Sequence, residues 1–419
     1  MKKIFSLLLV CMMLFITSCN QTPPNETTTG SSQNQEKPED GLPQDIIIKN
    51  GVSDFIDMPS RILFEYTVPE GEQYTFYYSK VDGKAYVYCF DPLCDHSGGK
   101  CLANLMDLEH LSVFEFRNMF FIHDRFYTAN QRGQIFSFAF DGSDVKTEYG
   151  KNSFTVDEFN EYSLYWSPNF RVYDKYIYIP VDADENGNPR TLRFNTETKE
   201  MEDLTERSGN SISPHFFYNG KIYGRDAKLR TWVKADLDLK EMTPIEAQPT
   251  TNQFYGSVFF DCAYELIDSK THKYLGIQSY DMKTGETKII TNEMLGLEEA
   301  NQCIVASVDE TYIYFYQYKK VLLGERETHW GVQPISKYNE GKLYRVKHDG
   351  TECTLIYDNP NFEFNSREAV ICGNQIILEG SEYSVEADGY VVCTSSGMQI
   401  GTMGEDGKIE KFKPIELVY

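Results

Sequence analysis

Positive charge is scarce in this chain of 419 residues. Lys and Arg total 40 against 63 Asp and Glu, the formal net charge is −23, and no strongly basic segment follows the first three residues. Polyanions such as nucleic acid, and anionic lipid headgroups, are therefore disfavoured as partners. Tryptophan is scarce too, with 3 residues. After Ile16 there is no apolar run long enough to cross a bilayer as a helix. Familiar catalytic signatures are also missing: the chain has no Gly-x-Ser-x-Gly elbow, no His-Glu-x-x-His, no phosphate loop and no Ser-x-Asp-x-Gly-x-Thr-Trp box. The sequence thus offers no motif for nucleophilic acyl transfer, zinc peptidase chemistry or nucleotide hydrolysis.

Aromatic side chains are plentiful. Tyr 29 and Phe 27 bring the aromatic share to 14%, a bias toward residues that suit pleated, half-buried strands. The length allows two or three domains of ordinary size, or one large all-β domain.

The N-terminus has a different character. Lys2 and Lys3 precede an apolar run over 4–16, broken by Ser6, which is the charged start and short hydrophobic core of a secretory signal. Ile16-Thr17-Ser18-Cys19 follows, and this resembles the lipobox of bacterial lipoproteins. The resemblance implies acylation of the Cys19 thiol and cleavage before it. Residues 1–18 are then a signal peptide, and the protein sits on the extracytoplasmic side of the cell membrane, anchored by lipid. Residues 19–44 are Gln, Thr, Pro, Asn, Glu, Ser and Gly with almost nothing apolar, the composition of a flexible tether.

Over 45–419 one unit recurs: an apolar strand, a tight turn, a strand rich in Tyr, Ile and Phe, a variable loop, and a strand ending in an Asp- or Asn-led turn. The clearest copy runs through Cys303-Ile-Val-Ala-Ser, Tyr312-Ile-Tyr-Phe-Tyr and Leu343-Tyr-Arg-Val-Lys-His to Asp349-Gly350. Asp-Gly marks a hairpin because Gly accepts positive φ without steric cost. Other copies start near Ile62, Phe120, Arg171, His215, Phe259 and Ala369. The repeat predicts an all-β β-propeller of seven four-stranded blades, with six or eight as the alternatives to that number, in preference to a sandwich pair or a solenoid.

The lipobox, the repeat and the segment Tyr86-Val-Tyr-Cys89-Phe-Asp-Pro-Leu-Cys94-Asp-His96-Ser-Gly-Gly-Lys-Cys101 together resemble a group of Gram-positive secreted lipoproteins with TolB-like propellers. The propeller domain of that group is also likened to that of low-density-lipoprotein-receptor-related proteins. The resemblance implies the fold much more than a reaction.

Cys89, Cys94, His96 and Cys101 place four metal-binding side chains within thirteen residues. A Cys3His set suits structural zinc, whereas an exported protein meets oxidising conditions in which two of these thiols pair as a disulfide. Either way the segment reads as a clamp between the first two blades. Cys262, Cys303, Cys353, Cys372 and Cys393 lie in or beside apolar strands and read as small buried hydrophobes. Asp182-Ala-Asp184-Glu-Asn186-Gly187 opens like a calcium loop, but the twelfth position is Arg193 where an EF-hand needs an acid, so a solvated hairpin loop is expected.

Long insertions fall at 89–118, 148–168, 181–190, 267–274, 319–339 and 381–396, all in the two connection classes that emerge on one face of a four-stranded blade. They carry Tyr165, Trp166, Arg326, His329, Trp330 and Tyr383, residue types that anchor interfaces and stack on sugars. The sequence therefore predicts a monomeric binding or scaffold module whose loop-rich face meets an extracellular protein, peptide or glycan. The other reading is a propeller glycoside hydrolase or lyase acting on an extracellular polysaccharide; no catalytic residue is assigned.

Overall fold

Strands rich in β-branched and aromatic residues suit a pleated sheet, and each of the seven sequence repeats forms an antiparallel sheet built from such strands. The computed structural model describes residues 55–57, 60–67, 73–89, 94, 119–122, 125–129, 134–139, 144–150, 170–181, 188–246, 253–267, 272–297, 301–328, 331–386 and 391–418. The protein is a seven-bladed β-propeller.

Blade 1 contains β1 (Phe55–Asp57), β2 (Arg61–Thr67), β3 (Gln73–Ser79) and β4 (Ala85–Val87), and blade 2 contains β5 (Met119–Ile122), β6 (Arg125–Ala129), β7 (Ile135–Ala139) and β8 (Lys146–Tyr149). Blade 3 is β9 (Arg171–Tyr173), β10 (Tyr176–Val181), β11 (Arg190–Asn195) and β12 (Met201–Asp203); blade 4 is β13 (Ile212–Tyr218), β14 (Lys221–Asp226), β15 (Trp232–Asp236) and β16 (Met242–Pro244). Blade 5 is β17 (Gln253–Tyr255), β18 (Val258–Leu266), β19 (His272–Asp281) and β20 (Thr287–Thr291). Blade 6 holds β21 (Gln302–Val308), β22 (Tyr312–Thr328), β23 (Gly331–Asn339), β24 (Lys342–Lys347) and β25 (Thr354–Asp358), and blade 7 holds β26 (Phe362–Cys372), β27 (Gln375–Val385), β28 (Val391–Met403) and β29 (Ile409–Pro414). A last strand, β30 (Leu417–Val418), runs parallel to β4 on its outer side.

The core lies between blades. In blade 4, Phe217, Ile222 and Val233 pack with Tyr178 and Leu204 of blade 3 and its following turn, while Phe216, Tyr218 and Tyr223 pack with Phe254 and Phe259 of blade 5. Both faces of a blade are thus buried, which is why many strands read as continuous apolar runs. Similar clusters join blades 2 and 3, 5 and 6, and 6 and 7. Blades 1 and 2 meet edge-to-face through Tyr88 and Phe126, at 6.2 Å between ring centroids. The ring closes where Ile62, Phe64, Phe76 and Tyr78 of blade 1 meet Val370, Ile377 and Met398 of blade 7. Phe259 is 0% exposed, and truncating such a ring to Ala costs about 3–5 kcal/mol.

Tight turns occupy one end of the blades. At Asp349-Gly350 the glycine has φ +85°, and a Cβ there would lie 2.8 Å from Met294 Cε. The positive φ of the turn is what requires glycine, since the end of the flexible Met294 side chain can swing away.

The insertions differ from their sequence reading. Residues 319–339, expected as a long loop, form a hairpin in which β22 runs on past its blade and pairs with β23, from Tyr318 opposite Asn339 to Thr328 opposite Gly331. Val321, Leu322, Val332 and Ile335 supply the β-branched and apolar character that sustains it. The 381–396 insertion is also mostly paired strand, from Ser381 opposite Ser396 to Val385 opposite Val391.

Candidate functional site

In blade 4 the connection from the second to the third strand leaves at Asp226 and returns at Trp232, and the inner strand enters at Ile212. His215, Arg225 and Trp232 are therefore gathered toward the loop-rich end. Arg225 sits directly opposite Trp232, and a bulge between Pro214 and Phe216 makes His215 the extra residue of the inner strand. Gly224 permits the bulge, since a Cβ there would lie 2.2 Å from the Ser213 carbonyl oxygen. The His215 and Trp232 ring centroids are 4.6 Å apart, and the Arg225 guanidinium carbon lies 5.4 Å from the Trp232 ring centroid.

Arg171 opens the inner strand of blade 3 beside this group. It is 2% exposed; Nε donates to the His215 carbonyl oxygen at 2.7 Å and a terminal nitrogen donates to the Phe170 carbonyl oxygen at 2.7 Å. Burial pushes its guanidinium down to about 10, with Glu368 of blade 7 opposing the shift. Burial, followed by the charges of Arg171 and Arg225, pushes the His215 imidazole down to about 3, so it is neutral at neutral pH. Burial raises the Tyr264 hydroxyl of blade 5, and Arg225 works against that rise.

Two donors in this group have no acceptor. Arg225 Nε and Trp232 Nε1 are buried without a hydrogen-bond partner, and among the described residues Arg225 makes no ion pair. A buried unsatisfied donor costs about 1–3 kcal/mol, and in native proteins such an atom calls for an explanation.

A second constellation secures the blade 6 hairpin to blade 7. Lys337 is 1% exposed, and its Nζ donates to the carbonyl oxygens of Pro360 at 2.6 Å and Phe362 at 2.9 Å. Asn339 Nδ2 donates to the Phe364 carbonyl oxygen at 3.0 Å. Glu363 accepts from the Tyr338 backbone at 2.8 Å and from the Tyr383 hydroxyl at 2.9 Å. Burial first, and then Glu363, pushes the Tyr383 phenol up to about 12.

The sequence candidates are thus distributed unevenly. Tyr383 lies at the base of the hairpin, holding Glu363. Arg326 lies in β22 near the tip, opposite Gln333. Tyr165, Trp166, His329 and Trp330 lie outside the described residues, as do Cys19, His96, Cys101 and residues 182–187. Cys89 and Cys94 are free thiols, half-buried against the core between blades 1 and 7. Among the described residues no group of three or more His, Cys, Asp or Glu side chains is placed to hold a metal. Cys262 and Cys303 are buried as expected, whereas Cys393 is exposed, because the hairpin of β27 and β28 carries it beyond the blade.

Sequence reasoning passed over Arg171, His215, Arg225 and Trp232. Arg171 alone offered a signal, as a charged residue opening an otherwise apolar inner strand. Arg225 and Trp232 become neighbours only through the strand register.

No model of a protein family matches the chain, and no curated protein matches it. Solved structures give distant likenesses. A computationally designed protein is 8% identical over 84% of this chain and 96% of its own, with a TM-score of 0.38. An oligogalacturonate lyase from Vibrio parahaemolyticus is 10% identical over 88% of this chain and 93% of its own, with a TM-score of 0.40. The β-propeller domain of the Trilobed protease from Pyrococcus furiosus is 10% identical over 88% of this chain and 98% of its own, with a TM-score of 0.40. None of these likenesses assigns chemistry to this chain.

Proposed function

We propose that this protein is a monomeric extracytoplasmic binding or scaffold module, held at the membrane by lipid on Cys19, that presents the loop-rich face of its propeller to a protein, peptide or glycan. The observation that carries this reading is the projecting blade 6 hairpin. Tyr318 and Tyr338 are 44% and 48% exposed and stack at 5.5 Å between centroids, and farther out Leu322 and Val332 are 67% and 59% exposed. Aromatic and aliphatic surface on an element that leaves the body of the fold does little for the core and suits recognition.

The test is a binding profile of the 44–419 fragment on glycan and peptide arrays, repeated with Tyr318→Ser combined with Leu322→Ser. The variant should keep the wild-type unfolding midpoint and lose the ligands that the wild type retains. Unchanged binding by a folded variant would move recognition off the hairpin. Shortened saccharide products released from an arrayed polysaccharide would assign the hydrolase or lyase reading instead.

A further inference from the structure

We propose that blades 4, 5 and 6 form, at the loop-rich face, a docking surface for an acidic segment of a partner protein, one in which aliphatic residues stand among the carboxylates. This rests on the binding-module reading and deepens it by naming the class of ligand.

The turn between β14 and β15 carries the argument. Asp226 Oδ1 accepts from the backbone N–H groups of Lys228 and Leu229, each at 2.8 Å, and the Arg230 N–H donates to the Asp226 carbonyl oxygen at 2.9 Å. Lys228, Leu229 and Arg230 are all exposed at its tip, Leu229 at 73%. Arg230 sits at φ +60°, in the left-handed region where a Cβ is strained. Three other turns close with the same pair of backbone bonds, and their left-handed residues are Gly83, Gly285 and Lys199. Glycine avoids the strain in two of them, and Lys199 pairs with Glu148 of blade 2 at 2.8 Å. Arg230 has neither compensation: among the described residues neither it nor Lys228 makes an ion pair. A strained backbone kept under an exposed, unpartnered cation points to use of that side chain by another molecule.

The same combination recurs on the next two blades. In blade 5, Ile267 is 63% exposed just past β18 and Lys273 is exposed in β19; in blade 6, Lys320 and Leu322 are both exposed on β22. Neither lysine makes an ion pair among the described residues. Glu265 lies opposite Lys273 in the ladder, whereas the residues between β14 and β15 include two cations and no acid. Blade 4 is therefore the centre of the surface.

Charge selects the occupant. The corresponding connections of blades 1, 3 and 7 are acidic, with Glu70 and Glu72, with Asp182, Asp184 and Glu185, and with Glu386 and Asp388. A segment with a few carboxylates is repelled there and complemented at blade 4. Screening over about 8 Å at physiological salt lets the local cations outweigh the distant acidic surface at contact. Leu229, Ile267 and Leu322 add apolar area that only a ligand with aliphatic side chains can bury.

The experiment measures fluorescence anisotropy of a short, labelled, end-capped peptide alternating Glu with Leu, titrated with the full chain. Saturable binding is expected, and the same peptide with Gln for Glu, or with Ser for Leu, should bind more weakly. Lys228→Gln combined with Arg230→Gln should weaken the Glu-Leu peptide about 3- to 10-fold, the loss expected for two exposed charge pairs. Arg230→Gly removes the strain together with the side chain, so it should bind more weakly while its urea midpoint equals or exceeds that of the wild type. A lower midpoint would give Arg230 a role within the fold and overturn the proposal.

Absence of saturable binding, equal affinity for the Gln or Ser peptide, or unchanged affinity in the folded double variant also overturns it. So does equally tight binding of poly-L-glutamate, which would make this a general polyanion site. Each of these results leaves the binding-module reading standing if the arrays still retain ligands, whereas arrays that retain nothing on the wild type count against that reading itself. The Tyr318→Ser, Leu322→Ser variant should lose less affinity for the Glu-Leu peptide than the blade 4 variant does, and a greater loss would move the acidic segment to the hairpin.

Discussion

The Tyr78 hydroxyl donates to Gln375 Oε1 at 3.0 Å, a bond between residues 297 positions apart that ties the third strand of the first blade to the start of the second strand of the last. Tyr78 is 1% exposed, and it reaches across the seam where the ring closes. Tyr78→Phe keeps the ring and removes the bond, so the unfolding free energy should fall by about 0.5–1.5 kcal/mol. Urea denaturation measures it; an unchanged midpoint would show that water replaces the phenol there at no cost.

The base and the tip of the blade 6 hairpin should respond differently to mutation. Lys337→Met leaves the Pro360 and Phe362 carbonyl oxygens without their donor and should destabilise the fold by about 1–3 kcal/mol. Deleting 324–335 and joining the strands with a tight turn should cost under about 1 kcal/mol, because loop closure depends weakly on length. Equal losses from the two changes, read as urea midpoints, would contradict this division.

Acid should weaken the protein partly through His215. Its unfolded imidazole titrates near 6.5 and its folded one near 3, so the unfolded chain takes up the proton first. Stability present above pH 6.5 is then lost as pH falls toward 3, at roughly 1 kcal/mol per pH unit for the one group. His215→Gln should flatten the decline in urea midpoint between about pH 6 and 4. A variant with the wild-type slope would assign the acid sensitivity to other groups.

Cys19→Ser should abolish acylation and release or mislocalise the protein. Metabolic labelling with a fatty-acid analogue reads this directly, and equal label on mutant and wild type would contradict the lipid anchor.

Much of the architecture is legible in local sequence. Each blade carries its own strands of aromatic and β-branched residues and its own turn residues, so pairs such as Tyr312-Ile-Tyr-Phe-Tyr with Leu343-Tyr-Arg-Val-Lys can be recognised without knowledge of the rest. The hairpin was misread because Lys319, Lys320, Gly324 and Pro334 look like loop residues, whereas its strands are sustained by pairing with each other. The Arg225 and Trp232 pairing was hidden for a different reason. Neither residue type is unusual in a strand, and what sets them apart is the absence of an acceptor, a property of three-dimensional surroundings that composition and spacing do not encode. Cys393 shows the same limit: its neighbours are apolar in sequence, but the hairpin carries it into solvent.

Strand β30, far from blade 1 in sequence, covers the outer edge of that blade's sheet. β4 is only Ala85–Val87, and its outer backbone is covered by Leu417 and Val418, with Ala85 N donating to the Glu416 carbonyl oxygen at 3.1 Å. Residues 416–418 must therefore arrive before the first sheet loses its open edge. Until then that edge is a template onto which a strand of another molecule can add. Proteolytic trimming of the last few residues would recreate the same edge in a finished protein, turning loss of a short segment into a tendency to associate.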